Sequence, residues 1–279
     1  MDIEIRDLHF SYESGVQALA GVSLTTGRGE TVALVGHNGS GKSTLVKHLN
    51  GLLRPDAGEV LIDGKPTADL RVAQIARRVA LLFQNPDNQI CKGTVWEETV
   101  FGPKNLGYPE EKIRDLASDS LAALGLTEMR DRNPHDLGFS ERKRLAIASI
   151  LAMNTEAVVL DEPTAGLDSG EIKLLEAVLR GLRDHGRTVL VISHDMDFVA
   201  ENMTRAICLG QGRKQYDGGL PGLFGDPALL KRCGLVLPQT VQVGSRLGLS
   251  PDRLTPEAVA AGLSEKRPSP SGDHPATSP

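Results

Sequence analysis

The chain has 279 residues, of which 40% are hydrophobic and 24% charged, and its formal net charge is -5. This length allows one large domain or one domain with a small extension, and the composition excludes a disordered chain and disfavours a protein that coats nucleic acid over a broad surface. No apolar run approaches the roughly 20 residues of a membrane-spanning helix, and the first ten residues, MDIEIRDLHF, have neither region of a signal peptide.

Apolar runs predict the strands. Ile3 and Ile5 alternate with polar residues, which predicts a half-buried strand, and a second short strand follows around Val22–Leu24. Residues 31–35 (TVALV) are continuously apolar apart from the first residue, which is typical of a strand buried on both faces of a parallel sheet. Further predicted strands lie at 79–83, 157–160, 188–192 and 205–209.

Helical spacing separates these strands. Leu45, Leu49 and Leu52 recur along one predicted helix, which Asn50-Gly51 is expected to end. Buried strands that alternate with helices predict an α/β fold with a mainly parallel sheet flanked by helices, and the N-terminal strands predict an added antiparallel piece. Other predicted helices are 67–78 and 169–185, and residues 90–150 are mainly helical.

The composition changes after about residue 220. Asp226-Pro227, Ser250-Pro251 and Thr255-Pro256 each pair a capping residue with a proline suited to the first helical position. Short helices are therefore expected after each pair, with Gly234 and Gly262 as their ends.

These features divide the chain into a main domain and a C-terminal part. Residues 1–220 are predicted to form the main domain, and 221–263 a small helical extension. Residues 264–279 contain four prolines and no large apolar residue. This composition predicts a disordered tail.

A phosphate-binding pattern lies between the strand at 31–35 and the next helix. Residues 36–43 read GHNGSGKS and match GxxxxGK[ST] in the strand-to-helix context that this motif requires. Its glycines let backbone N–H groups approach phosphates, and the helix N-terminus adds partial positive charge. Lys42 is expected to reach the β- and γ-phosphates, and Ser43 to ligate Mg²⁺. The predicted nucleotide-binding residues are Gly36, His37, Asn38, Gly39, Ser40, Gly41, Lys42, Ser43 and Thr44.

Polar residues follow two other predicted strands. Asp161 is expected to bind Mg²⁺ through water, and Glu162 to polarise the water that attacks the γ-phosphate. Alone, this acidic pair would indicate a solvated strand end. Together with the phosphate-binding loop at 36–43, the P-loop, it predicts catalysis. His194 follows the strand at 188–192, at the edge where a nucleotide binds, and is expected to donate a hydrogen bond to the γ-phosphate.

Four ordered motifs resemble a known family over residues 1–220. GHNGSGKST, LLFQ, LDEPTAGLD and VISHD together resemble the nucleotide-binding domain of an ABC ATPase, which is a P-loop NTPase. The resemblance implies ATP and Mg²⁺ as cofactors and a helical subdomain at about 90–152. It also implies that Tyr12 stacks on adenine, that Gln84 contacts Mg²⁺ and the attacking water, and that Asp168 meets the opposite subunit.

A narrower resemblance covers residues 83–108 (FQNPDNQICKGTVWEETVFGPKNLGY). This stretch is similar to the ATPase subunits of energy-coupling-factor transporters, which import cobalt or vitamins. The resemblance implies that Asn85–Gln89 line a groove for a transmembrane partner, and that the C-terminal extension helps two ATPases to dimerise. Cobalt, nickel, biotin, riboflavin and thiamine all remain open as cargo.

The family resemblance also implies partners and a location. The expected partners are a second ATPase subunit, a transmembrane coupling subunit and a substrate-binding membrane subunit, without nucleic acid. The expected location is the cytoplasmic face of the cell membrane, as a peripheral protein. The widely spaced Cys91, Cys208 and Cys233 form no CxxC, which fits a reducing cytosol.

One segment departs from the family. The signature LSGGQ, which reaches the nucleotide of the opposite subunit, aligns without gaps to Leu137, Gly138, Phe139, Ser140 and Glu141. Gly138 removes a hydroxyl donor, and Phe139 adds bulk where the backbone approaches phosphate closely. These changes favour an asymmetric heterodimer over a homodimer.

Two alternative functions stay open on the sequence. One is a soluble ABC ATPase of DNA repair or translation, although the chain lacks a long coiled-coil insertion and has room for only one nucleotide domain. The other is a binding module without hydrolysis, which the altered signature allows. The intact Lys42, Asp161, Glu162 and His194 disfavour that second alternative.

Overall fold

The structure is a computed structural model that describes residues 1–250, 252 and 254–265. The strands are β1 (Ile3–Ser11), β2 (Gln17–Thr26), β3 (Thr31–Val35), β4 (Ala57–Ile62), β5 (Lys65–Pro66), β6 (Val79–Leu82), β7 (Ala157–Asp161), β8 (Thr188–Ile192), β9 (Arg205–Gly210) and β10 (Arg213–Gly219). The helices are α1 (Lys42–Leu49), α2 (Val72–Ala76), α3 (Val95–Asn105), α4 (Glu110–Ala123), α5 (Phe139–Ala152), α6 (Ser169–Asp184), α7 (Met196–Asn202), α8 (Leu220–Phe224), α9 (Pro227–Cys233), α10 (Gln239–Arg246) and α11 (Pro256–Glu265).

The central sheet has the strand order β10-β9-β3-β8-β7-β6. The strands from β9 to β6 are parallel, and β10 pairs antiparallel with β9 at one edge. Every residue of β3, β7 and β8 is buried, as expected for strands covered on both faces. The predicted α/β fold with a mainly parallel sheet is confirmed, and β3 and β8 have the predicted bounds.

A second sheet is antiparallel and has the order β2-β1-β4-β5. Ile3 and Ile5 are buried, so the predicted half-buried strand and antiparallel piece are confirmed. Strands β1 and β2 are both longer than the short apolar stretches that predicted them. Their pairing continues through register shifts after Ile5 and Phe10, which accommodate irregular positions.

Two hydrophobic cores lie on opposite faces of the central sheet. Val32 and Leu34 of β3 pack with the antiparallel sheet and α1. The alternate residues Ala33 and Val35 pack with α5 and α7. This division follows the period of two along a strand, and it anchors the loop after β3 between the two cores.

The helical region predicted at about 90–152 contains α3, α4 and α5. Thr94 caps α3, because its hydroxyl accepts the Glu97 N–H at 3.1 Å. The predicted helix at 67–78 is wrong in extent. Leu70 and Arg71 are extended, and they separate a single 3-10 turn from α2.

In the described part of the C-terminal region, the four helices α8 to α11 follow β10. Gly234 ends α9 in a left-handed conformation, as predicted. Gly262 does not end its helix, since α11 continues to Glu265. It is a buried residue within that helix. The predicted helix start at Pro251 and the predicted tail beyond Glu265 lie outside the described residues. No helix in the described part of the chain is long and apolar enough to cross a bilayer.

The parallel strands direct four loops to one edge of the central sheet. The loops after β3, β6, β7 and β8 begin at Gly36, Phe83, Glu162 and Ser193. Because the carboxyl ends of parallel strands meet at the same edge, residues far apart in sequence converge there.

Candidate functional site

The loop between β3 and α1 is shaped by glycines. Gly41 has φ +103, and a Cβ there would lie 2.6 Å from the carbonyl oxygen of Ala18. Gly36 has φ +141, and its Cβ would collide with the carbonyl oxygen of Leu209 in the neighbouring strand. At both positions only glycine allows the turn and the close approach of the backbone. The loop can therefore direct its N–H groups inward.

Lys42 begins α1 and lies beneath this loop. Its side chain is 6% exposed, and Nζ donates to the carbonyl oxygens of Gly36 at 2.7 Å and His37 at 3.0 Å. Burial lowers the pKa of Lys42, while the carboxylates of Glu162 and Asp161 raise it in part. An ammonium group is thus placed at a cavity that backbone N–H groups and carboxylates also line.

The cavity has a volume of about 190 Å³ and lies at the carboxyl edge of the central sheet. The structure brings most of the predicted nucleotide-binding, catalytic and magnesium-binding residues to it, although Tyr12, Gly36 and His37 are not among its lining residues. The predicted dimer residues, Asp168 and those of the signature segment, do not line it either. The lining residues are Asn38, Gly39, Ser40, Gly41, Lys42, Ser43, Thr44, Gln84, Asp161, Glu162, Ile192 and His194.

Two carboxylates face Lys42 from the end of β7. Asp161 and Glu162 are buried, and among the described residues the Asp161 Oδ1 and Glu162 Oε1 atoms have no hydrogen-bond partner. Burial raises the pKa of Asp161 and raises that of Glu162 to about 6. Glu162 also has φ +50, a strained conformation for a residue with a side chain. Unsatisfied oxygens and backbone strain together are typical of a functional site.

The donor set fits Mg²⁺. Ser43 and Gln84 line the same cavity as Asp161, and the Ser43 hydroxyl lies close enough to the Asp161 carboxylate to lower its pKa. These are hard oxygen donors, and Asp161 Oδ1 has an open acceptor position. In the described residues no cluster of three or more His, Cys, Asp and Glu side chains is suited to a metal. A hydroxyl, an amide and one carboxylate suit a cation that is shared with substrate phosphates.

His194 lies after β8 and faces Glu162. Its backbone N–H donates to Glu162 Oε2 at 3.3 Å, and its Nε2 lies 3.3 Å from Glu162 Oε1 without the geometry of a hydrogen bond. Burial lowers the pKa of His194, and the positive charge of Lys42 lowers it further. The imidazole is therefore favoured in its neutral form, in which one ring nitrogen can donate a hydrogen bond.

Tyr12 lies beside the P-loop helix rather than in the cavity. Its hydroxyl oxygen is 2.9 Å from Thr44 Oγ1, and its ring packs edge-on against Phe10 with 5.0 Å between centroids. The side chain is 39% exposed. Its stacking on adenine remains a prediction.

The signature segment lies at the start of α5, away from this cavity. Gly138 is the N-cap and has no side chain, so Glu141 alone caps the turn by accepting the Gly138 N–H at 2.7 Å. The Phe139 ring is 44% exposed and covers Gly166, where a Cβ would lie 2.6 Å from ring atoms. Asp168 caps α6 by accepting the Glu171 N–H at 2.8 Å. The complete segment comprises Leu137, Gly138, Phe139, Ser140 and Glu141.

A groove of about 600 Å³ lies between α2, β6, α3 and α5. Apolar side chains such as Val72 and Phe101 line it, together with Gln89. Asn85 lines an adjoining cavity of about 440 Å³ that also includes Asp161. The predicted segment Asn85–Gln89 thus lies between the nucleotide cavity and the groove.

Sequence reasoning missed Lys143. It belongs to three consecutive basic residues, a pattern that usually indicates a solvated helix face. In the structure it is 0% exposed, and Nζ donates to the Gln84 carbonyl oxygen at 2.7 Å. The detectable signal was its spacing: Ile147 and Ile150 follow at four and seven residues, so position 143 lies on an apolar face of α5.

Comparisons with known proteins identify the family and the fold. The ABC transporter family model matches residues 19–165. The Energy-coupling factor transporter ATP-binding protein EcfA of Methanothermobacter thermautotrophicus is 42% identical over 250 residues, which cover 89% of this chain and 80% of EcfA. The structure of cbiO1 from Clostridium perfringens, part of the ABC transporter complex cbiONQ, is 31% identical with a TM-score of 0.72, covering 88% of this chain and 98% of cbiO1. A dimeric post-hydrolysis structure of the ATP-binding cassette MJ0796 with ADP and Pi is 29% identical with a TM-score of 0.72, covering 78% of this chain and 98% of MJ0796.

Proposed function

Because this chain belongs to the ABC transporter family and is an ATPase of that family, we propose that it is the ATP-hydrolysing subunit of an energy-coupling-factor type importer. The observation that supports hydrolysis most strongly is the pair of buried carboxylates of Asp161 and Glu162, which line the cavity together with Lys42. The 42% identity to EcfA supports the importer type. The proposed cargo is a transition-metal ion, cobalt or nickel, or a vitamin.

In the proposed reaction, the P-loop N–H groups and Lys42 bind the β- and γ-phosphates. Glu162 accepts a proton from water as the water oxygen bonds to the γ-phosphorus and the bond to the β–γ bridging oxygen breaks, giving ADP and phosphate. His194 donates a hydrogen bond to the γ-phosphate. Bound Mg²⁺ would neutralise phosphate charge, with Ser43, Gln84 and Asp161 as its protein ligands, the last through water.

The membrane partner is proposed to bind in the groove between α2 and α3. Exposed apolar side chains support this assignment, since Val72 is 46% exposed and Phe101 is 38% exposed at the groove. Large exposed apolar surfaces usually mark an interaction site. The chain would then work at the cytoplasmic face of the membrane as a peripheral subunit, with a coupling subunit and a substrate-binding subunit in the bilayer.

Co-purification tests this assignment. The tagged chain, isolated from detergent-solubilised membranes of its own organism, is expected to retain an integral membrane protein. Val72→Glu places a charge in the groove and should lower recovery of that protein by about tenfold, because a desolvated unpaired charge weakens binding. Quantitative mass spectrometry of the eluate measures the recovery.

Val16→Glu is the matched control, because Val16 is exposed in the turn between β1 and β2, away from the groove. Recovery with this variant should equal that of the wild type. Ribosomes or nucleic acid in place of a membrane protein would contradict the importer assignment and favour a soluble ABC ATPase.

The second ATPase subunit is proposed to be a different chain. Phe139 and Glu141 stand where the family presents a glycine and a glutamine to the partner's nucleotide, so this signature is weak for hydrolysis at the partner's site. The C-terminal extension is proposed to contribute to dimerisation. Its exposed Val236, Val243 and Leu263 support that role.

Restoring the signature should raise hydrolysis by the isolated chain. Gly138→Ser, Phe139→Gly, Ser140→Gly and Glu141→Gln are combined, which supplies a hydroxyl donor and removes both bulk and negative charge. Turnover by the homodimer should rise by about 10-fold or more, since one lost donor at a developing charge costs about 100-fold in comparable sites. Phosphate release at saturating MgATP measures the effect.

The same restored chain with Glu162→Gln added should stay inactive, which assigns the gain to the proposed site. An unaltered chain that alone hydrolyses ATP as fast as the restored one would show that the altered signature is no handicap.

A further inference from the structure

Lys143 is a buried cation that the proposed reaction does not use. Its Nζ is surrounded by backbone carbonyl oxygens, those of Gln84 at 2.7 Å, Phe83 at 3.4 Å and Asp161 at 3.5 Å. In the part of the chain that the structure describes, it forms no ion pair within 4.0 Å of a carboxylate oxygen. Burial lowers its pKa to about 8, and the charges of Asp161 and Glu162 raise it in part.

A buried ammonium group is a poor way to stabilise this part of the fold. Taking the charge out of water is costly, and an apolar side chain of similar length would extend the apolar face of Ile147 and Ile150 without that cost. Lys143 is at least as deeply buried as these two residues, with 0% exposure. Packing therefore does not explain the charge of Lys143, which indicates a further role.

The acceptors of Lys143 indicate that role. Gln84 lines the nucleotide cavity, and its backbone carbonyl accepts from Lys143. Asp161 ends the neighbouring strand β7, and β6 and β7 are paired up to Leu82 and Leu160. The Lys143 ammonium group thus links α5 to the C-terminal ends of β6 and β7. Gln84 and Asp161 converge at this point.

Helix α5 also holds the backbone next to Gln84 through hydrogen bonds of a second residue, Gln89. The Gln89 amide donates to the Ala146 carbonyl oxygen at 2.9 Å, and its Oε1 accepts the Phe83 N–H at 3.1 Å. The backbone before Gln84 is therefore bound through Gln89, and the backbone after it through Lys143. Two restraints on either side of one residue limit the directions its side chain can take.

We propose that Lys143 is a positioning residue of the ATPase site, which fixes the Gln84 backbone and so directs the Gln84 amide into the cavity. This inference rests on the proposed function of that cavity. Lys143 follows Phe139 by one helical turn, so a partner that contacts the start of α5 acts on the same turn that restrains Gln84.

The test replaces Lys143 by methionine, which keeps the apolar stem and removes the donors. In the complex purified through the tagged full chain, Lys143→Met should lower kcat for MgATP by about 100-fold, the effect of a small misplacement of a catalytic group. KM should stay unchanged, because the P-loop is intact. Lys143→Arg, which keeps a charged donor, should recover most of the lost turnover.

Hydrogen–deuterium exchange provides a readout that needs no turnover. In the nucleotide-free chain, Lys143→Met should speed exchange of the backbone amides at 83–89 and leave those of β3 and β8 unchanged. If the methionine variant fails to fold, Lys143→Gln, which keeps a neutral N–H donor, should give a smaller change of the same kind.

Arg144→Met is the matched control. Arg144 is the adjacent buried cation, but it donates to the Leu124 carbonyl oxygen at 2.6 Å and pairs with Glu171 at 3.1 Å, away from the cavity. This variant should unfold at a lower temperature without a change in kcat of the folded protein or in exchange at 83–89.

The outcomes separate this inference from the proposed function. Unchanged kcat and unchanged exchange in Lys143→Met, or the same kcat loss in Arg144→Met, would overturn the positioning role. If the wild-type complex hydrolyses no ATP, the proposed function fails, and the exchange at 83–89 alone still decides whether Lys143 restrains Gln84.

Discussion

Replacing Glu162 by glutamine should lower ATP turnover by about 1,000-fold, the middle of the range for loss of a general base. Glutamine has the same shape but cannot accept the proton that the attacking water loses. ATP binding should persist, because Lys42 and the P-loop glycines are unchanged. Phosphate release by the complex measures turnover, and equilibrium binding of labelled ATP measures affinity.

The unfolding temperature of Glu162→Gln distinguishes a loss of catalysis from a loss of folding. Burial raises the pKa of Glu162 from 4.5 to about 6, so the folded chain binds this proton more tightly than the unfolded chain does. Ionisation as the pH rises through this interval therefore destabilises the fold, and the cost is fully present at pH 7. Glutamine removes the cost, and the unfolding temperature at pH 7 should be no lower than that of the wild type.

Glu156→Gln is the control for Glu162→Gln. Glu156 is an exposed carboxylate just before β7, at the other end of the same strand. Its replacement should leave turnover at the wild-type level. Turnover near the wild-type level in Glu162→Gln would remove Glu162 as the base.

Replacing Lys42 by methionine should weaken ATP binding by about 100-fold, within the range for loss of one partner of a desolvated charge pair. Methionine keeps an apolar stem but leaves the phosphates without the ammonium group. It also leaves the carbonyl oxygens of Gly36 and His37 without their present donor, so the loop is less well ordered. Titration with labelled ATP measures the affinity, and turnover at fixed low ATP should fall with it.

Lys65→Met is the matched lysine control, since Lys65 is exposed in β5, far in the fold from the P-loop. ATP affinity should not change in this variant. An unchanged affinity in Lys42→Met would mean that the cavity at the end of β3 is not the phosphate site.

The central strands could be predicted to within a residue because burial on both faces leaves only apolar side chains. TVALV and TVLVI have no polar face that could be confused with a loop. By contrast, β10 (RKQYDGG) is an edge strand with no buried residue, so its composition resembles a turn. The helix predicted at 67–78 was interrupted by Leu70 and Arg71, whose extended backbone no local propensity indicated.

The candidate site was predictable where a sequence motif within this chain identifies both the residues and their chemistry. The P-loop, Asp161 and Glu162 converge because parallel strands end at the same edge. Lys143 was not predictable in this way, because its role depends on carbonyl groups about 60 residues away, which have no sequence signature. The roles of Tyr12 and of Phe139 depend on a nucleotide and on a second subunit, so the chain alone leaves them as predictions.

We propose that this chain has a competent ATP site that a second subunit completes. MgATP hydrolysis by the purified chain alone is compared with hydrolysis after addition of the ATPase subunit that co-purifies with it. We expect little turnover by the chain alone, a large increase with the second subunit, and loss of that increase when this chain contains Glu162→Gln. Full turnover by the chain alone, with no increase on addition of the second subunit, would contradict this proposal.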